Sequence, residues 1–229
     1  MSKEFVRQNN SLKTEKADLP ESTDHTITTD IIFEKFPHNK SFFREVQCLE
    51  YIKNKKSIYL FGEDYNAKSI KRFFGLNYKT IYLLSTQKRF HLYEYYGRED
   101  KLKLFLDIDI KSPDIPKNVN RTEYFNHVIK KSINTVIKHL KTYNINNSQI
   151  IILSACGESK LSAHIIFNDV IFRNILEMNF FMPNIKSPLI DDKTIDMKPY
   201  RKGCFRMLWN SKYGTDRILE FYENTNYTY

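Results

Sequence analysis

Three cysteines are present in 229 residues, Cys48, Cys156 and Cys204, with no C-x-x-C spacing and an odd one over. That scarcity excludes a disulfide framework and a structural zinc site, and it fits a reducing, intracellular setting. Long apolar runs are also missing: none approaches the roughly 18 residues of a membrane span. The first residues, Met1 to Gln8, are too polar for a signal peptide. A soluble protein with no membrane partner is expected. No internal repeat or low-complexity tract is visible.

What is abundant is positive charge. Lys and Arg number 36 against 27 Asp and Glu, giving a net charge of +9 and a pI near 9.2. This favours polyanionic partners, nucleic acid first among them, although a merely solvated basic surface gives the same sum. The 15 Tyr and 17 Phe supply candidates for stacking on bases, while most aromatics in a chain of this size serve the core.

Residues 1–28 are polar, mixed in charge and aperiodic, and read as a disordered or loosely docked tail. Residues 29–98 read as a small N-terminal α/β module. Within it, helical spacing of Phe42, Phe43, Val46, Leu49 and Ile52 predicts a helix over Ser41 to Lys55. Ile58 to Phe61 reads as a strand, Asn66 to Phe74 as a short helix closed by Gly75, and Ile81 to Leu84 and Phe90 to Tyr96 as strands.

Residues 99–229 hold a different pattern. Lys103-Leu104-Phe105-Leu106-Asp107-Ile108-Asp109-Ile110 alternates as a strand, with Leu104, Leu106, Ile108 and Ile110 on one face and Phe105, Asp107 and Asp109 on the other. Asn120 then caps a helix whose stripe runs from Phe125 to Leu140. Gln149 to Ala155 and Leu161 to Phe167 are strand-like, Val170 to Phe181 is a second helix halted by Pro183, and Thr194 to Tyr200, Cys204 to Trp209 and Arg217 to Tyr222 are short extended segments. The order strand, helix, strand, strand, helix, strand gives the fold class: α+β, an RRM-like (ferredoxin-like) βαββαβ module combined with the smaller N-terminal α/β module. In that topology the first and third strands are neighbours, so Asp107 and Asp109 face the alternating row Lys160, Ser162 and His164.

Two carboxylates side by side on a strand repel unless a cation offsets them. Mg²⁺, held by a few carboxylates with waters and phosphates, suits such a pair; an edge strand with two solvated acids is the alternative. A lone strand histidine is most often structural, but Lys160, Ser162 and His164 in one row combine a cation, a hydroxyl and an imidazole, which suits a phosphate. Further on, Asp196 precedes Arg206 and Lys212, candidate triphosphate contacts or a basic rim without a ligand.

The set in this order, h-D-h-D, then K-x-S-x-H, then h-D followed by C-F-R and N-S-K, resembles the three motifs of the archaeo-eukaryotic primase superfamily. Its flavour is closest to the primase-polymerase and large-DNA-virus branches, and His91-Leu92-Tyr93-Glu94 adds to the likeness. The resemblance covers about residues 88–214 and implies that the two modules form one catalytic core. It implies that Asp107, Asp109 and Asp196 hold two Mg²⁺ or Mn²⁺ ions, and that Lys160, Ser162, His164, Arg206 and Lys212 bind the nucleotide's phosphates. The implied partners are a single-stranded DNA template, NTP or dNTP and a replicative helicase domain or subunit; the implied reaction is primer synthesis with pyrophosphate release. The zinc module of many relatives has no counterpart here, which leaves priming as against extension open. Neither has the Gly-rich phosphate loop of a fused helicase, so the chain reads as an N-terminal domain. A non-catalytic single-strand-binding module on the same sheet is the rival from another class. A replication-initiator nickase is disfavoured, because none of the six histidines stands in a His-x-His pair.

Overall fold

A computed structural model describes residues 41–65, 70–86, 90–146, 148–189, 194–200 and 203–222. The expected N-terminal tail lies outside these residues. The protein is α+β, with two antiparallel sheets and, among the described residues, four α-helices. No helix among them is long and apolar enough to cross a membrane.

The first sheet has the order β1-β3-β2-β4-β8, built from β1 (Ser41–Phe42), β2 (Tyr59–Asp64), β3 (Lys71–Leu76), β4 (Leu92–Tyr96) and β8 (Gly203–Arg206). Two sequence expectations exchange character here. Lys71–Leu76 is a strand where a helix was expected, and pairing along its length with β2 overrides the local helical spacing. Residues 66–69 of that expected helix lie outside the described residues. Gly75 is therefore no helix cap. It lies opposite Leu60, and a Cβ there would stand 2.3 Å from Ile52 Cγ2, so its bareness lets helix α1 (Glu45–Ile52) close on the sheet.

Conversely, Ile81 to Leu84 is helical, inside α2 (Tyr78–Thr86). Asn77 caps that helix by accepting from the Thr80 N–H, and Thr80, Ile81, Leu84 and Ser85 turn one face inward against Phe61, Phe74 and Leu92. A four-residue apolar run does not by itself distinguish strand from helix. The α1 stripe is also shorter than its spacing suggested: Cys48 is buried while Phe43, Val46 and Leu49 stay exposed.

The second sheet has the order β5-β7-β6-β9, from β5 (Leu102–Lys111), β6 (Ile150–Ser154), β7 (Lys160–Phe172) and β9 (Glu220–Phe221). Leu104, Leu106, Ile108 and Ile110 are buried on one face, packed with α3 (Arg121–Lys141) and α4 (Ile175–Leu189) in the largest core. Asn120 Oδ1 caps α3, accepting from the Thr122 and Glu123 N–H groups. Strand β7 outruns its expected end, because Ile171 and Phe172 pair with Lys103 and Leu102 of β5. Helix α4 correspondingly starts later, with Asn174 accepting from the Glu177 N–H, and it continues through Pro183. An interior proline costs a helix about 3 kcal/mol. Full burial of Met178, Met182 and Ile185 is worth about 1.5–3 kcal/mol each and outweighs it.

Two short segments complete the frame. Ile195 forms an antiparallel bridge to Ile108, flanked by Asp109 N–H to Thr194 O (3.0 Å) and Asp196 N–H to Asp107 O (2.8 Å). The expected Cys204 to Trp209 strand is shorter: β8 stops at Arg206, crosses to the first sheet by pairing with β4, and Trp209 adopts a left-handed φ of 62°.

Candidate active site

The polar face of β5 and β7 forms the floor. Register places Asp107 directly opposite His164 and Asp109 opposite Ser162. Opposed residues of an antiparallel pair share a face, so both acids stand beside Ser162 and His164, with Lys160 next along. The floor is sheltered by Phe105, which stacks on Tyr200 (5.1 Å, 15°) and packs against Phe205 (4.5 Å). Phe205 in turn stacks on the His164 ring (4.0 Å, 26°). The sequence marks neither Phe205 nor Tyr200 as a site residue. The alternation of β8 gave no sign that Phe205 would meet the imidazole across two sheets.

Asp196 reaches the site through the backbone. Its N–H donates to Asp107 O, which hangs the residue beside β5, and its Oδ1 accepts from the Lys198 N–H at 2.9 Å. Tyr200 fixes the same region: its hydroxyl donates to Phe105 O (3.0 Å) and accepts from the Asp107 N–H (3.3 Å). Asp107 is crowded by the other two acids. Burial first, then the charges of Asp196 and Asp109, push the Asp107 carboxyl up from 3.8 to about 7.

The cations gather as closely. Lys160 Nζ donates to both carboxylate oxygens of Asp109, at 2.6 and 2.7 Å. Arg206 is buried, with Nη1 donating to Arg217 O (3.2 Å) and Nε without a partner among the described residues. Burial and then the Lys160 and Arg206 charges depress the Lys212 ammonium. Burial foremost, followed by Arg206, Lys212 and Lys160, holds His164 well below the ordinary imidazole value, so the ring is neutral. Its Nε2 is 3.7 Å from Asp107 Oδ1, too long for a hydrogen bond, and its Nδ1 is buried without a partner among the described residues.

Five of the eight residues singled out in the sequence, Asp107, Asp109, Lys160, Ser162 and His164, share one face; Asp196 hangs beside it from the Asp107 carbonyl, and Arg206 and Lys212 are near enough for their charges to act on His164. Their carboxylates are not drawn into a finished chelate: among the described residues, no three His, Cys, Asp or Glu side chains form a group able to hold a metal ion. Lys160 grips Asp109 instead, and a backbone amide takes one oxygen of Asp196.

Residues 64–227 match the family model described as the C962R protein N-terminal AEP domain. A protein of Ostreid herpesvirus 1 (isolate France) that carries the name "Putative primase" is 28% identical over 166 residues. That alignment covers 59% of this chain and 13% of the viral protein, so the chain spans only a small part of that relative's length. With the family model matching well over half of the sequence, the chain belongs to the C962R N-terminal domain family of the archaeo-eukaryotic primase superfamily.

Proposed function

We propose that the chain is a template-directed nucleotidyltransferase, a DNA primase or primase-polymerase that makes RNA or DNA primers on single-stranded DNA and releases pyrophosphate. The observation that carries this reading is the meeting of two like-charged clusters of opposite sign: Asp107, Asp109 and Asp196 beside Lys160, Arg206 and Lys212. Each cluster is unfavourable alone and each is relieved by a different part of one substrate complex, a cation for the acids and a polyphosphate for the bases. The family match and the viral relative's name point the same way.

The second sheet supports an RRM-like module. Its strands β5, β6 and β7 follow the βαββ order, β5 lies next to β7, and the Ile195 bridge takes the fourth strand's place beside β5. All-oxygen, carboxylate-rich donors are the set that Mg²⁺ or Mn²⁺ prefers, and the strained Asp107 carboxyl gives the trio reason to take a cation. Asp107, Asp109 and Asp196 would hold a pair of such ions. Bound there, the ions would activate a 3′-hydroxyl and neutralise the triphosphate.

The chain's own residues do the rest. Arg206 and Lys212 draw the triphosphate on to the floor, Arg206 through a fork whose Nε still lacks an acceptor. Ser162 offers a hydroxyl and His164 a neutral ring held flat by Phe205. Lys160, released from Asp109, becomes a further phosphate contact. A replicative helicase domain or subunit is the protein partner this reading implies.

Incubation with single-stranded DNA, Mg²⁺ or Mn²⁺ and labelled nucleotides, with and without primer, tests it. Products without primer identify a primase, and products only with primer a polymerase. The Lys160 grip on Asp109 favours one second reading, a non-catalytic single-strand-binding module in which that pair is permanent. It predicts salt-sensitive binding indifferent to divalent ions and no product in either reaction.

A further inference from the structure

Arg217 is a cation that neither the motifs nor the proposed chemistry uses. It lies in the coil between β8 and β9, and its aliphatic stem rests on Gly157, where a Cβ would stand 2.7 Å from Arg217 Cδ. Gly157 closes the turn before β7, exchanging backbone hydrogen bonds with Lys160. The Arg217 carbonyl accepts from Arg206 Nη1, so the two arginines are tied together although their charges repel. No carboxylate among the described residues pairs with Arg217, and its Nη1 is buried without a partner. The Gly157 contact fixes the stem of a guanidinium that has a second arginine close by and an unmet N–H, an arrangement that an anion would relieve.

The position of that anion follows from the row. From the acids outward along β7 come His164, Ser162 and Lys160, and then the Gly157 turn under Arg217. Resting on the nucleotide-binding reading above, we propose that Arg217 extends this row by one place and binds the distal phosphate of the incoming nucleotide, making the site selective for triphosphates over diphosphates. Gly157 is the positioning residue that lets the guanidinium lie there.

Binding of a non-hydrolysable nucleoside triphosphate and of the matching diphosphate, measured by calorimetry with Mg²⁺, tests this directly. Single-stranded DNA binding by fluorescence anisotropy serves as a parallel arm. Arg217→Ala is expected to weaken triphosphate binding roughly tenfold to a hundredfold while leaving diphosphate and DNA binding within about twofold. Arg217→Lys should restore part of the loss, and Gly157→Ala, which keeps the charge but displaces it, should reproduce part of it. Thermal melting of each variant separates these effects from misfolding. An unchanged triphosphate-to-diphosphate ratio in a folded Arg217→Ala protein overturns the proposal, as does a loss confined to DNA binding, which would assign the guanidinium to strand phosphates. Failure of the wild-type protein to bind any nucleotide would instead sink the nucleotide-binding reading beneath it.

Discussion

The two sheets handle buried charge in opposite ways. In the first, charges are matched: Lys71 Nζ meets Asp64 Oδ1 at 2.5 Å, Arg72 Nη2 meets Glu63 Oε2 at 2.9 Å, and Tyr93 donates its hydroxyl to the second oxygen of Asp64 at 2.7 Å. At the polar face of the second, only Lys160 and Asp109 pair, while Asp107 lies beside two further acids and Arg206 and Lys212 add positive charge without a carboxylate partner among the described residues. Matched charges complete themselves and specify structure, whereas massed ones are left incomplete and wait for something else. The contrast separates residues whose loss should unfold the protein from residues whose loss should silence it.

The sharpest way to break this distinction is at β5. Asp107→Ala and Asp109→Ala should each abolish nucleotide incorporation, by about a thousandfold or more; Asp107→Ala should melt no earlier than the wild type, and Asp109→Ala, which strands Lys160, only slightly earlier. A folded variant that still incorporates nucleotides would place the acids among ordinary surface groups.

The next effect is on stability against pH, in chelator. The folded Asp107 carboxyl keeps its proton up to about pH 7, whereas the unfolded chain releases it near 3.8. Its contribution is therefore complete below about pH 3.8 and drains away as pH rises through 7, by at most about 4 kcal/mol. Urea unfolding at about pH 5 and about pH 7.5 should show the decline, and Asp107→Asn should flatten it.

On the first sheet, Asp64→Ala strands Lys71 and the Tyr93 hydroxyl. It should cost about 3 kcal/mol, seen as a Tm lower by about 6–12 °C. If incorporation fell with no loss of Tm, the matched network would belong to the site. The smallest effect is expected at Lys212, the most solvent-accessible of the candidate phosphate contacts although part of it is covered: Lys212→Ala should raise the KM for nucleotide about tenfold, with kcat changed less.

Much of this was visible in the sequence where periodicity is long. The stripe on α3 and the alternation of β5 each repeat often enough to fix an element and its inward face. The apolar runs at β3 and α2 are too short for that, and pairing partners and a cap decided between strand and helix. At the candidate site, strand alternation sufficed to bring Asp107, Asp109, Lys160, Ser162 and His164 to one face. Asp196 was legible only as an acid, because its place comes from two backbone hydrogen bonds that leave no side-chain period. Arg217 gave no signal at all. It is a lone arginine in coil, and its meaning depends on a glycine far away in sequence.

Tyr200 bears on which lengths of chain the architecture tolerates. A strand beside β5 would normally fill its ladder residue by residue, but here one phenol serves both the Phe105 carbonyl and the Asp107 amide. A ladder finished by a side chain needs no long neighbour, so the polypeptide is free to leave after the Ile195 bridge and join the other sheet as β8. One residue inserted between Ile195 and Tyr200 would put the phenol out of register and carry Asp196 away with it.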